Sequence, residues 1–171
     1  MIAEYRDWLS RVEGLGTAEL AYLAGIIDGE GCVTITAHQN KYESSKSVSP
    51  SFVAHVSVAN TDVRLMDWLT SRLGGWVGLK RRNYPCSRQK PVYTWQLTSD
   101  RARAMLRIVR PYLVLKGAQA DIVMATDRYL MPKKSCFKRR IPSELLQKRA
   151  IVVAQIRKLN RRGPVPVEEV S

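Results

Sequence analysis

The chain has 171 residues, 45% hydrophobic and 25% charged, which suits a single domain with a real core and excludes disorder for most of its length. Lys and Arg outnumber Asp and Glu by 28 to 15, a formal +13 with a pI near 10.1, so the expected partner is polyanionic, nucleic acid first; no strongly apolar amphipathic face accompanies the charge to favour a membrane. Three cysteines (Cys32, Cys86, Cys136) without C-x-x-C spacing support neither a disulfide framework nor a zinc cluster.

In chain order, MIAEYRDWLSRVEG mixes acids and bases where a signal peptide needs an apolar core, and no run reaches the length of a membrane span. An intracellular protein follows, in a prokaryotic cytoplasm or an organelle, with no membrane partner. The segment reads as a short helix with Trp8, Leu9 and Val12 inward, ended by Gly14 and Gly16. Thr17 is the expected N-cap of a second helix running to about Asp28 through Leu20, Leu23, Ala24 and Ile27. After Gly31 the period becomes two: CVTITAH and SFVAHVSVAN form a hairpin with one apolar and one polar face, joined by a polar segment from Gln39 to Pro50. Asn60-Thr61-Asp62 then caps a helix with Leu65, Met66, Leu69 and Leu73 inward, stopped by Gly74-Gly75. Two more strands, WVGLKRR and VYTWQLT, precede a helix capped by Ser99 or Asp100 and broken at Pro111. Lys116-Gly117 opens a further helix to about Leu130, and a last helix spans roughly Ser143 to Leu159.

The basic residues are not spread evenly. Between Gly31 and Thr61 the only acid is Glu43, between Trp68 and Ser99 there is none, and Met131 to Arg162 carries eleven Lys or Arg against Glu144. The strand-like segments are therefore the acid-poor ones, and a second basic region lies near the C-terminus.

The stretch LAGIIDGEG, Leu23 to Gly31, places glycines and carboxylates on a helix that otherwise reads as buried. A mid-helix glycine costs up to about 1 kcal/mol against alanine. Ala21, Gly25 and Gly29 stand at successive i, i+4 positions, and a stripe without bulk lets a second helix approach closely. Asp28 and Glu30 lie at the negative end of the helix dipole, so a positive group is expected nearby. If two copies of the helix cross through the stripe, two Glu30 carboxylates converge into an oxygen site for a hard divalent cation.

These residues resemble the LAGLIDADG signature of homing endonucleases, with Glu30 standing for the second Asp. The resemblance covers roughly residues 17–130 and implies an α+β fold: αββαββα, a four-stranded antiparallel saddle sheet with helices on one face, plus a C-terminal helical extension. It divides the chain into an N-terminal extension (1–16), the endonuclease core (17–130), a basic helical extension (131–162) and a flexible tail (163–171). One motif per chain implies a homodimer through Ala21, Gly25 and Gly29. The resemblance assigns metal binding to Glu30 and Gly29, with Mg²⁺ as cofactor and Mn²⁺ or Ca²⁺ able to occupy the same sites. Asp28 is given a structural capping role. Lys116 resembles the family's active-site lysine, the alternative being an exposed lysine at a helix start. Asn60 matches a residue that organises active-site water and Arg64 a second cation, with capping or surface roles as alternatives.

The resemblance also makes the polar sheet face the reader of double-stranded DNA in the major groove. Alternation then selects Thr34, Thr36 and His38 on the first strand and Ser51, His55 and Ser57 on the second. With Val77 and Leu79 inward, Lys80 and Arg82 point out; Arg81, Arg88 and Lys90 lie near the turn, and Thr94 and Gln96 face outward from the fourth strand. Trp68, Trp76 and Trp95 are assigned to the core by residue type. Lys133, Lys134, Lys138, Arg139 and Arg140 read as a phosphate-gripping patch, or equally as a solvated linker.

The leading expectation is an intron-encoded, Mg²⁺-dependent homodimeric endonuclease that cuts both strands of a long, partly palindromic site and leaves short 3′ overhangs, with no small-molecule substrate. The alternative is a non-cleaving LAGLIDADG protein, an intron maturase or transcription regulator. A phosphate-binding NTPase is excluded because no Gly-Lys-Ser/Thr follows the glycines.

Overall fold

A computed structural model describes residues 2–38, 51–80, 90–126 and 143–161. Helix α1 (Ile2–Glu13) leads into α2 (Thr17–Glu30), strand β1 (Gly31–His38), β2 (Ser51–Asn60), α3 (Val63–Leu73), β3 (Trp76–Lys80) and β4 (Val92–Thr98). Helix α4 (Ser99–Val109), a 3₁₀ turn (Arg110–Tyr112), α5 (Gly117–Ala125) and α6 (Ser143–Leu159) complete it. The order from α2 to α4 is the expected αββαββα.

The four strands form one antiparallel sheet in the order β1-β2-β4-β3, so the second strand of each pair lies inside. Register decides the faces. Gly31 stands opposite Val58, Val33 opposite Val56 and Ile35 opposite Ala54, while Val56 and Val58 also face Leu97 and Trp95. Because side chains alternate, these apolar residues share one face, where the helices cover them. Trp8 and Val12 of α1 and Val153 and Ile156 of α6 belong to the same buried cluster as Leu23, Ile27, Met66, Leu69, Leu73 and Met105. The flanking helices thus share the core of the central unit.

Two indoles close the end of α3. Trp8 Nε1 donates to the Leu73 carbonyl at 2.6 Å and Trp95 Nε1 to that of Gly74 at 2.7 Å, satisfying oxygens that a helix C-terminus leaves unpaired. The chain turns there through Gly74 (φ 64°) and Gly75 (φ 94°); a side chain on Gly75 would meet the Gln96 carbonyl at 2.6 Å.

Three expectations are corrected. Gly16, not Thr17, is the N-cap of α2; its N–H is taken by the Glu19 carboxylate at 3.3 Å, and the helix extends to Glu30. Helix α4 starts at Ser99 after Thr98, so neither Ser99 nor Asp100 is its cap. Trp95 is fully buried and Trp68 packs against the core, but Trp76 is 62% exposed. It pairs with Gln96, which places it on the face away from the helices: alternation outweighs residue type. Leu79 keeps the inward register of Val77 and Tyr93 but is half exposed, near the end of the sheet.

Candidate functional site

The last turn of α2 is joined to the segment leading into α5 by hydrogen bonds in both directions. Lys116 Nζ donates to the carbonyls of Ile27 and Asp28 at 2.8 and 2.5 Å. In return the Asp28 carboxylate accepts the backbone N–H groups of Val114, Leu115 and Lys116 at 2.7, 3.1 and 2.9 Å. Lys116 is therefore the positive group required by the dipole at the end of α2, and Asp28 holds the 114–116 segment that leads into α5.

Partial burial of Asp28 favours its neutral form, but the three backbone donors and the Lys116 charge outweigh it and hold the carboxyl below the usual Asp value. A carboxyl with a lowered folded-state pKa stabilises the fold above its ordinary pKa and loses that contribution as pH falls through the lowered value. Asp28→Asn is therefore expected to destabilise the protein by about 1–3 kcal/mol at pH 7, the worth of hydrogen bonds to a charged group. Urea denaturation as a function of pH should show the difference narrowing below about pH 4, near the ordinary Asp value.

Glu30 contrasts with Asp28. It is exposed at the same helix end, and among the described residues it makes no hydrogen bond or ion pair. Gly29 beside it lies in the turn whose carbonyls lack intrahelical donors. These are hard oxygen donors of the kind Mg²⁺ or Ca²⁺ takes. One chain is not a complete site: among the described residues no cluster of three His, Cys, Asp or Glu could hold a metal.

Ala21, Gly25 and Gly29 are all exposed, and a side chain added at either glycine meets nothing within 4 Å. Among the described residues no contact requires those glycines. Tyr22, 56% exposed, flanks the stripe and meets Trp68 edge-on at 5.0 Å. Val114 and Leu115, the residues tied to Asp28, are also exposed, so an apolar surface continues around the motif end.

Asn60 lies two residues beyond Val58, the partner of Gly31, which brings it to the motif end of the sheet. Its Oδ1 accepts the Asp62 N–H at 2.9 Å, and Asp62 in turn caps α3 through the Arg64 N–H. Arg64 Nη2 lies 2.5 Å from the Asp62 carboxylate. The hydrogen bonds from Arg64 are the main cause holding that carboxyl at about 2. The side chains of Asn60 and Arg64 thus form a turn and an exposed ion pair in this chain.

Thr34, Thr36, His55, Ser57, Thr94 and Gln96 all lie half-buried on the sheet face opposite the helices, as alternation requires. His55 Nε2 and Gln96 Oε1 are 3.1 Å apart across β2 and β4, and Thr36 Oγ1 donates to the Val53 carbonyl at 3.3 Å. No acid occupies the strand positions of this face. Lys90 is exposed just before β4. His38, Ser51 and Lys80 occupy outward strand positions, but their side chains lie outside the description, as do Arg81, Arg82, Arg88, Lys133, Lys134, Lys138, Arg139 and Arg140 entirely. Two features escaped the sequence reading: Trp76 on the outer face, and a cavity of about 630 Å³ beside α6, floored by Phe52 and Val153 and rimmed by Arg157, Lys158 and Arg161.

No family model matches the sequence, and no curated protein does. Solved structures do, and all that follow are homing endonucleases: the fold is that of the LAGLIDADG homing endonucleases. I-CvuI in complex with its target in the presence of calcium superposes with a TM-score of 0.64 at 21% identity, over 86% of this chain and 84% of that one. The archaeal intron-encoded I-Vdi141I complexed with DNA gives 0.63 at 11% identity, over 88% and 89%. The LAGLIDADG homing endonuclease I-LtrWI bound to target DNA gives 0.59 at 17% identity, over 83% of this chain but 45% of that one. Among the described residues no helix is long and apolar enough to cross a membrane.

Proposed function

We propose that this protein is a single-motif LAGLIDADG homing endonuclease: a homodimer that binds a long, pseudo-palindromic DNA site and hydrolyses both strands with Mg²⁺, leaving short 3′ overhangs. The observation that carries the reading is the α2 end, where Glu30, unengaged among the described residues, adjoins an exposed small-residue stripe with open space beyond its glycines. The half-length match to I-LtrWI agrees with one unit of a two-unit architecture.

In this reading two copies meet through Ala21, Gly25 and Gly29, with Tyr22 beside the seam, and each contributes one Glu30. Glu30 and the Gly29 carbonyl would hold the divalent ions, which supply Lewis acidity at the scissile phosphates when bound. Lys116 and Asp28 fix the helix end so that Glu30 is presented in one orientation, and Lys116 keeps positive charge beside the phosphates. Asn60 lines the same edge and would order water there. The acid-free outer sheet face reads the groove, where Gln96 suits adenine, while Lys90 and the basic segments grip phosphates.

One observation favours a second reading. The Lys116 ammonium is committed to two main-chain carbonyls instead of standing free beside Glu30, as a non-cleaving maturase or regulator would tolerate.

The test is cleavage of a randomised duplex library by the purified chain with Mg²⁺ and with EDTA. Metal-dependent cuts at a recoverable two-fold-related sequence support the endonuclease; a selected sequence that is bound but never cut supports the second reading. Gly25→Arg tests the dimer. Its side chain meets open space within the chain, so the fold should persist. Overpacking costs about 1–3 kcal/mol at each of two copies, so self-association in sedimentation equilibrium should weaken by roughly 2–6 kcal/mol. An unchanged association constant would remove the seam from α2.

A further inference from the structure

Trp76 has a feature that neither the core nor the helix end explains. It is the first residue of the edge strand β3 and is 62% exposed, on the sheet face turned away from the helices. Its ring lies over Gly78, two residues on: a methyl group built on Gly78 would stand 2.2 Å from the indole. The glycine is thus the space in which the ring lies along the strand. Register places Trp76 beside Gln96, Gln96 beside Ser57 and Ser57 beside Cys32, so one transverse row crosses all four strands. Every outward strand position lacks an acid.

We infer that Trp76 is a specificity-determining residue that selects thymine in the duplex. The inference rests on the DNA reading proposed above and names what one part of that surface recognises. An indole has no cation for a phosphate, and in an intact duplex the bases offer the major groove their edges, not their faces. The apolar feature on those edges is the thymine C5-methyl group. A ring held along the strand by the missing side chain at Gly78 meets that methyl without first being ordered, so little rotamer freedom is lost on binding. Gln96, its neighbour in the row, is the side chain best suited to adenine, so the row is matched to A·T-containing steps.

The experiment is a binding selection on randomised duplexes in Ca²⁺ with the full wild-type chain, W76A and W76F. Wild type should show thymine at a two-fold-related pair of positions, W76A should lose that preference at this pair alone, and W76F should retain part of it. Replacing those thymines by deoxyuridine removes only the methyl groups. It should weaken wild-type binding about fourfold for each methyl, the worth of one buried methyl group, and leave W76A unchanged. Identical base preferences in wild type and W76A, or equal sensitivity of both to deoxyuridine, would overturn the inference while leaving the DNA reading intact. A wild-type chain that selects no sequence would remove both. Because Trp76 is exposed, W76A should keep its thermal midpoint; a large drop with unchanged base preference would make Trp76 a cover for the edge strand, also against the inference.

Discussion

Glu30→Gln is expected to lower the rate of metal-dependent DNA cleavage at least about a thousandfold while leaving the fold in place and DNA binding no weaker, since metal stabilisation of the scissile phosphate contributes several kcal/mol. The isosteric amide keeps the shape of an exposed side chain that makes no hydrogen bond or ion pair among the described residues, so little packing is lost. It also removes a negative charge from the negative end of α2, which is worth a few tenths to about 1 kcal/mol in favour of the helix. Thermal stability should therefore stay level or rise slightly, and binding without metal should strengthen because two carboxylates no longer face phosphates. The decisive comparison is single-turnover cleavage against binding of the same duplex. Activity within tenfold of wild type would take the metal away from Glu30. Asp28 would then be a poor substitute, because its oxygens already accept three backbone donors.

Gly31→Ala is expected to cost roughly 2–4 kcal/mol of folding stability, the upper range of overpacking penalties. A Cβ at Gly31 would lie 2.5 Å from the Ile27 carbonyl oxygen and 2.8 Å from the Ile27 Cα, both main-chain atoms of the preceding turn. No rotamer change relieves that clash. The Gly31 N–H also donates to the Ile27 carbonyl, the same oxygen that Lys116 holds, so relief by backbone movement breaks the cap. The thermal midpoint should fall by roughly 5–15 °C for a chain of this size. Gly29→Ala, two residues earlier in the same motif, is the control. Its Cβ meets nothing within 4 Å, so helix propensity should stabilise the separate chain by about 0.5–1 kcal/mol. If both substitutions act alike, the close approach of β1 to α2 is not what requires Gly31.

The motif and the period of two made most of this architecture readable. Leu20, Leu23, Ala24 and Ile27 fix the inner face of α2, and the strict alternation of β1 and β2 fixes which side of the sheet is buried. The bounds expected for the last helix are those observed. What escaped the sequence depends on contacts between distant residues. The link from Asp28 to Val114–Lys116 spans more than eighty positions, and nothing local to either segment announces it. The need for a positive group at the end of α2 followed from the helix dipole, but a dipole does not say which lysine answers it. The side chains of Asn60 and Arg64, singled out by the resemblance, both meet Asp62 at the start of α3, a contact that the resemblance does not specify. Trp76 is instructive because the alternation that sent Val77 and Leu79 inward already sent it outward. At this position register, not residue type, decides the face.

The outer sheet face holds its polar side chains to one another and to strand carbonyls, not to the core: His55 to Gln96, Thr36 to Val53. Along β1, β2 and β4, one set of residues supplies the fully buried apolar side chains of the core, and the intervening set supplies none of them. Mutations can therefore accumulate in the second set without passing through poorly folded intermediates. If this face reads DNA as proposed, a lineage built on this scaffold can change the address one base at a time, and the helix ends that carry Glu30 need not change with it.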